Sequence, residues 1–407
     1  MFALPISGVS PVSWDAGPVA HRGSAVAAAL LGGAVAGACY RSVRTVRQVR
    51  ALVPLHEAPP DPGVFPAAVT VVVPARDEAA VIDDCLRGIR AQTYADRDPA
   101  ALRVVVVDDG STDGTGDLAR AHAAADERIR VVRVDGPPPG WAGKVHAMHV
   151  GVEAAGPPGA GEWLLFVDAD TVLAPDLLAR LLLTADAVDA DLVSTPGGPP
   201  PRRSAAWPLL MPPGLQLIGE NAAPDGRGAK AFAIGHCILL RRSHYDKIGG
   251  WESMAGLRNE DVALATSVRD HGGVTRLVDG LDHVTTTGMD PFAQGWASFR
   301  KSFVAGTRQS VPVLLVGGLG QVALSLAAPV ALGFGVRRRR PLLAAAGVIG
   351  WVAQGVAHAH TARYMRAGPE LAPLAPFTGA LFGGVLLDGA VRVLSGTASW
   401  KGRRSGS

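Results

Sequence analysis

The sequence predicts an α/β domain on a mostly parallel, Rossmann-like sheet, with membrane helices at its N-terminal and C-terminal ends. Three observations carry this. Between residues 68 and 290, short apolar runs alternate with amphipathic ones, the pattern of a parallel sheet covered on both faces. Three of the four predicted strands end on polar or acidic residues. Both ends of the chain hold long stretches without Asp, Glu, Lys or Arg. Of 407 residues, 48% are apolar and 18% charged, and the mean hydropathy is +0.21. Soluble domains carry about 25% charged residues, so part of this chain belongs in a membrane. A net charge of +3 excludes a dedicated nucleic-acid binder. Cys39, Cys85 and Cys237 lie far apart, with neither a disulfide framework nor a zinc pattern.

The elements follow in order. Within residues 1–58, Ser24–Tyr40 is an apolar run followed by Arg41, Arg44, Arg47 and Arg50. Cations just after a span mark the cytoplasmic side, so a signal-anchor helix over about 24–40 is expected. A Pro-rich linker, 59–66, precedes the domain. Val69–Val73 and Arg103–Val107 read as strands, as do Ile129–Val134 and Trp163–Val167. Glu78–Gln92, Gly116–Ala125, Lys144–Ala154, Pro175–Ala185 and Val262–Asp270 read as helices. Apolar positions in Gly295–Thr307, flanked by Arg300, Lys301 and Arg308, predict an interfacial helix over 291–310. Trp207–Met211 is a second apolar stretch able to touch lipid. The C-terminal region 311–407 holds charge-poor segments at about 311–336, 341–362 and 371–394. A single crossing by the first would put Arg337–Arg340 outside, against the positive-inside tendency. A hairpin at Val311–Val336, helped by Gly317, Gly318, Gly320 and Pro329, avoids this and leaves three full spans; four spans is the alternative.

In a parallel sheet, ligands bind beyond the carboxyl ends of the strands, which is where the acidic motifs fall. Asp108-Asp109-Gly110-Ser111 can form an Asx turn, or accept from the base or ribose of a nucleotide. Asp168-Ala169-Asp170 can direct two carboxylates at one hard cation, since Mg²⁺ takes one or two protein carboxylates plus substrate phosphates. Gly140-Trp141-Ala142-Gly143-Lys144 opens a helix and offers an anion site at its start. Asn259-Glu260-Asp261 is either an ordinary acidic first turn or the source of a general base at Asp261. His236, His244, His271 and His283 show no metal-ligand spacing, and His358 and His360 would not face one another on a helix.

The ordered set VVVPARDE (71–78), VVVVDDGSTDGT (104–115), GWAGKVHAMHVG (140–151), LLFVDAD (164–170), GHCILLRRSHYDKIGGW (235–251) and NEDVAL (259–264) resembles the inverting family-2 glycosyltransferases over residues 68–270. GWAGK and the stretch Gly295–Thr307 resemble the membrane-bound members acting in hopanoid and carotenoid pathways, including diaponeurosporenoate-type enzymes. The resemblance implies a nucleotide-diphospho-sugar α/β fold over 68–290. It implies that Asp108 and Asp109 hold the base and ribose, that Glu78 shapes that pocket, and that Asp168 and Asp170 bind Mg²⁺ or Mn²⁺. Lys144 would neutralise a phosphate oxygen and Asp261 would be the base. The donor would be a nucleotide sugar, a UDP-sugar first. The acceptor would be a lipid or isoprenoid, reached from a catalytic domain on the cytoplasmic face of the cell membrane by a multi-pass protein. No Q-x-x-R-W motif follows Gln294, which argues against long-chain polymerisation. Arg76-Asp77 stands where many relatives show an aromatic residue and Asn. The alternatives are a polyprenyl-phosphate acceptor, or a non-catalytic membrane protein that only binds a nucleotide.

Overall fold

The computed structural model describes residues 18–57, 67–96, 98–157, 159, 161–199, 206–219, 231–287, 291–397, 399–400 and 403–404. The Pro-rich linker 59–66, residues 200–205 and Lys401 lie outside them. A long helix α1 (Pro18–Arg50) leads to a short strand β1 (Val53–Pro54). The α/β domain runs β2 (Val69–Ala75), α2 (Ile82–Arg90), β3 (Leu102–Asp109), α3 (Thr115–Ala125), β4 (Ile129–Val134), α4 (Gly143–Ala154), β5 (Trp163–Val167), β6 (Thr171–Leu173) and α5 (Leu177–Ala187). It continues through β7 (Leu192–Thr195), α6 (Ala206–Gly219), β8 (Cys237–Arg241), α7 (Arg242–Lys247), α8 (Glu260–Asp270), β9 (Thr275–Asp279) and β10 (Val284–Thr286). Four helices follow: α9 (Phe292–Gly306), α10 (Val311–Arg337), α11 (Pro341–Tyr364) and α12 (Ala375–Leu394).

Eight strands form one sheet in the order β1-β9-β7-β8-β5-β2-β3-β4. All neighbours are parallel except β8, which is antiparallel to both β5 and β7. This inverted strand matters for the site: it starts, rather than ends, at the rim where β5 ends, with Cys237 opposite Val167. Burial on both faces explains the continuous Val and Leu runs. Val71 and Val73 face a core with Ile82, Leu86 and Ile89 of α2, while Val72 faces Met148 of α4, Phe166 and Trp251. The strand β2 passes through Pro74 instead of stopping there. Its pairing with β5 ends at Val72, so the missing N–H of Pro74 costs no bond on that side. A Cβ on Gly151 would sit 2.4 Å from Val72 Cγ1; only glycine lets α4 approach β2 so closely. Gly151→Ala is therefore expected to destabilise the domain by about 1–3 kcal/mol, read as a lowered thermal midpoint.

Among the described residues, four helices are long and apolar enough to cross a membrane: Ser24–Arg50, Val311–Arg337, Pro341–Tyr364 and Ala372–Leu394. The hairpin expected within Val311–Val336 is absent. Pro329 and the three glycines are accommodated in one continuous helix of 27 residues; Gly317 and Gly318 serve helix packing against α12, while Gly320 faces open space. Gly318 meets Leu387 and Gly383 of α12, and Gly335 meets Ala344 of α11, the close approach that small residues permit between apolar helices. Arg340, at the far end of α10, donates to Ser24 of α1 at 3.0 Å. Helices α6 and α9 lie between the domain and this bundle. Phe299 packs edge-on to Phe382 at 5.0 Å, and Trp207, Leu210 and Met211 join the same cluster.

Candidate active site

The carboxyl ends of β2 and β5, the start of β8 and the first turns of α4 and α8 meet in one cleft. Lys144, Asp168, Gly235, Trp251, Glu260 and Asp261 line it. At its centre Lys144 Nζ lies 2.7 Å from Asp168 Oδ1 and 2.8 Å from Glu260 Oε1. Burial opposes the ammonium charge, but the two carboxylates outweigh it and hold the Lys144 pKa well above its ordinary value. Lys144 thus holds two carboxylate contacts at the start of α4. Glu260 is the residue that the sequence reading passed over, since an acid in a first helical turn has an ordinary explanation in the helix dipole.

Asp261 lies beside the same glycine, Gly235. Its Oδ2 accepts from the Gly235 N–H at 3.1 Å and its Oδ1 from the Val262 N–H at 2.8 Å. Burial, then the neighbouring Glu260 charge, push its pKa up to about 7, against the opposing pull of Lys144. That brings a carboxylate into the range where a general base is poised at working pH. A Cβ at Gly235 would fall 3.0 Å from Lys144 Nζ and 3.6 Å from Asp261 Oδ2, so a glycine keeps these two groups within reach of one another.

Asp170 is pushed upward by burial and by the charge of Asp168, partly offset by His236 and Lys144. It is held by Thr171 and Thr286 hydroxyls at 3.4 and 3.5 Å. The His236 carbonyl accepts from the Asp168 N–H at 3.2 Å, and its Nδ1 accepts from the Gly197 N–H at 2.9 Å. Two like-charged carboxylates kept adjacent and half-enclosed fit a hard divalent cation. Among the described residues no group of three His, Cys, Asp or Glu side chains forms a complete metal site. Two protein carboxylates with the rest from water and phosphate oxygens is the usual manner of holding Mg²⁺.

The residues expected around the nucleotide divide into two kinds. Asp108 is fully enclosed: its Oδ2 takes Arg133 at 2.8 Å and its Oδ1 the Ser111 N–H at 2.9 Å. It shapes the loop, and Asp109 is nearly as enclosed. Asp109, next along β3, pairs with Arg76 at 3.3 Å and lies near His146, whose pKa burial lowers and Asp109 raises. Trp141 stacks against His149 and His146, at 4.9 and 5.6 Å between centroids. The Glu78 N–H donates to Thr115 at 2.8 Å, fixing the turn after β2 against the β3 loop. Asp77 caps the Thr112 N–H at 2.9 Å and has φ 50°, a conformation that Asp and Asn tolerate best among non-glycine residues.

A covered parallel sheet with acidic strand ends, a Lys–carboxylate centre and a buried carboxyl opposite defines a glycosyltransferase-type α/β domain. Residues 70–249 match the family model described as glycosyl transferase family 2. A relative from Mesorhizobium japonicum, an N-acetylglucosaminyltransferase, is 31% identical over 228 residues, 54% of this chain and 50% of its own length. A 4,4'-diaponeurosporenoate glycosyltransferase from Staphylococcus aureus is 26% identical over 260 residues, 61% of this chain and 65% of its own. The chain spans half or less of the length of the first curated relatives it matches. A mannosyltransferase from Pyrobaculum calidifontis, solved with GDP-Man and Mn²⁺, superposes with a TM-score of 0.56 at 22% identity. The match covers 91% of this chain and 98% of that one, and extends the likeness in fold beyond the α/β domain.

Proposed function

We propose that this chain is an inverting, metal-dependent glycosyltransferase that moves a sugar from a nucleotide-diphospho-sugar to a lipid or isoprenoid acceptor at a membrane surface. The observation that carries this is the gathering of the near-neutral Asp261 carboxyl and the Lys144–Asp168 pair on one side of Gly235, all within 4 Å of where its Cβ would stand. The acceptor hydroxyl would lie against Asp261, which takes its proton as the oxygen attacks the anomeric carbon. The nucleoside diphosphate would leave from the opposite face, so that configuration inverts. Asp168 and Asp170 are the residues that would hold Mg²⁺ or Mn²⁺, which when bound supplies positive charge to the leaving diphosphate. The cleft needs that charge: three carboxyls, Asp168, Glu260 and Asp261, face the single cation Lys144 among its described lining residues, and the charge of Asp168 acts on Asp170 as well. Asp109, Arg76 and Glu78 are assigned to the nucleoside. A UDP-sugar is the first donor to test, since a curated relative is named an N-acetylglucosaminyltransferase. The structural neighbour held GDP-Man. A lipid acceptor is favoured by the four apolar helices and by the relative named for diaponeurosporenoate. The arginines ending α1 favour a cytoplasmic catalytic face.

The test is radiolabel transfer from a panel of nucleotide sugars into organic-extractable lipid of membranes carrying the full chain. A labelled lipid, lost with EDTA and reduced about 10²-fold or more by Asp170→Ala, is the expected result. Donor binding that survives with neither hydrolysis nor transfer, in native lipids, would move the chain to the non-catalytic class.

A further inference from the structure

The packing of the last two helices gives them a path that their length and composition do not reveal. Helices α10 and α12 run antiparallel. Gly389 of α12 meets Leu314 of α10, Gly383 meets Gly318 and Val322, and Gly379 meets Ser325. From Leu314 to Ser325 is about 16 Å along α10. The remaining stretch, from Ser325 to Arg337, is covered instead by α11, with Gly347 on Leu332 and Gly335 on Ala344. The N-terminal end of α12 therefore starts near the middle of α10. The preceding turn is placed at the same depth by α11: the Pro373 carbonyl accepts from Trp351 Nε1 at 2.8 Å, and Ala372 lies against Gly355. Trp351 is ten residues into α11, about 15 Å from its far end.

Both ends of this path return to the catalytic domain. At the end of α11, the Met365 carbonyl accepts from Trp207 Nε1 at 2.8 Å. Arg366 then makes a two-pronged ion pair with Asp282, Nε to Oδ1 at 2.8 Å and the second prong to Oδ2. At the end of α12, Asp388 accepts from Trp296 at 2.9 Å and Arg300 at 2.7 Å, both on α9. Asp282 is also close to the chemistry. It precedes β10, which pairs antiparallel with β6, Thr286 opposite Thr171. The Thr286 hydroxyl lies 3.5 Å from Asp170 Oδ2, and the Thr287 N–H donates to the Asp170 carbonyl at 3.4 Å.

We propose that α12 does not cross the bilayer: after leaving it along α11, the chain is pinned to the domain by Arg366, dips to mid-depth at Pro373 and returns along α12. Arg366 is thereby a positioning residue that registers this re-entrant segment against the strand pair carrying Asp170. Non-helical backbone at that depth is tolerated only where protein or a polar cavity covers it, and the Trp351 bond meets that need for Pro373. The chain then makes three crossings, through α1, α10 and α11. The second half of the proposal rests on the glycosyl-transfer reading; the path of the chain does not.

Membrane-impermeant maleimide labelling of the full chain in oriented vesicles tests the path. Single cysteines at Asp135→Cys in the domain, Arg338→Cys between α10 and α11, and Thr397→Cys after α12 are compared in a Cys39→Ala background. Thr397→Cys is expected to label from the side of Asp135→Cys and opposite Arg338→Cys. Labelling of Thr397→Cys from the Arg338→Cys side overturns the proposal. The positioning role is read from the partition between donor hydrolysis by water and transfer to lipid. Arg366→Ala should lower lipid transfer about 10–100-fold, as for displaced reacting groups, and weaken the thermal shift given by Mn²⁺, with donor hydrolysis lowered at limiting Mn²⁺ and nearly unchanged at saturating Mn²⁺. The swap Arg366→Asp with Asp282→Arg should restore part of both. Unchanged transfer and Mn²⁺ shift, or a loss in both reactions that the swap does not repair, overturns it. Failure of the glycosyl-transfer reading would instead appear as no transfer by the unsubstituted chain.

Discussion

Asp261→Asn is expected to reduce transfer to an alcohol acceptor by about 10²–10⁴-fold, the range for losing a general base, while making the protein more stable above neutral pH. The two effects share one cause. Burial and the adjacent Glu260 hold the Asp261 proton to about pH 7 in the folded chain, whereas an unfolded aspartate releases it near pH 4. Between these values the folded state binds the extra proton. Stability therefore falls as pH rises through that window and stays lowered above it. Asn carries no charge and escapes this cost. The gain at pH 8 should be about 1–2 kcal/mol, limited because two backbone N–H groups now compete for one amide oxygen. Activity should run the other way, with kcat/KM of the unsubstituted enzyme for an alcohol acceptor rising with pH through about 7. A carboxylic acid acceptor is already ionised there, so for it both the Asn substitution and the pH rise should matter much less. Equal losses for both acceptor types, or no stabilisation of Asp261→Asn at pH 8 relative to pH 5, would remove Asp261 from the role of base.

How much of this site was legible in the sequence depends on what kind of information each residue needed. Asp109, Asp168 and Asp170 were placed by a general property of parallel sheets, that strand ends gather at one rim. Lys144 and Asp261 were placed by the start of a helix. What hydropathy cannot express is pairing. Nothing in Cys237–Arg241 marks it as an inverted strand between two others, yet that inversion brings Gly235 and His236 to the rim. Nor could the sequence choose between Asp108 and Asp109. Neighbouring residues on a strand face opposite sides, and only the position of Arg133 on β4 shows that Asp108 points into structure. Glu260 was hidden because its dipole explanation was sufficient. The membrane region was misread for a related reason. Gly317, Gly318, Gly320 and Pro329 look like a turn in isolation, but in a packed bundle small residues are contact surface.

Lys144→Met should unfold at a lower temperature and lose transfer together, with the loss of stability largely reversed by Mn²⁺. The ammonium is shared by Asp168 and Glu260 at 2.7 and 2.8 Å, and the Glu260 carboxylate is nearly buried. Removing one partner of a buried ion pair costs about 3–5 kcal/mol, because the charge left behind has no counter-ion. Here the lower end applies, since 26% of the Lys144 side chain is exposed. A divalent cation drawn to Asp168 and Asp170 would supply the missing charge. Glu260→Gln in the same background should recover part of the stability without metal, and no activity. A lysine whose task was only to meet a donor phosphate would behave differently: its loss would raise the donor KM and leave the thermal midpoint alone. Thermal unfolding of the full chain, with and without Mn²⁺, separates the two. A midpoint unmoved by Lys144→Met would mean that Asp168 and Glu260 are compensated by something other than this lysine. The metal would then have no deficit of charge to correct. The coupling between them follows from the geometry of the cleft, in which Asp168, the carboxylate proposed for the cation, is already paired with Lys144.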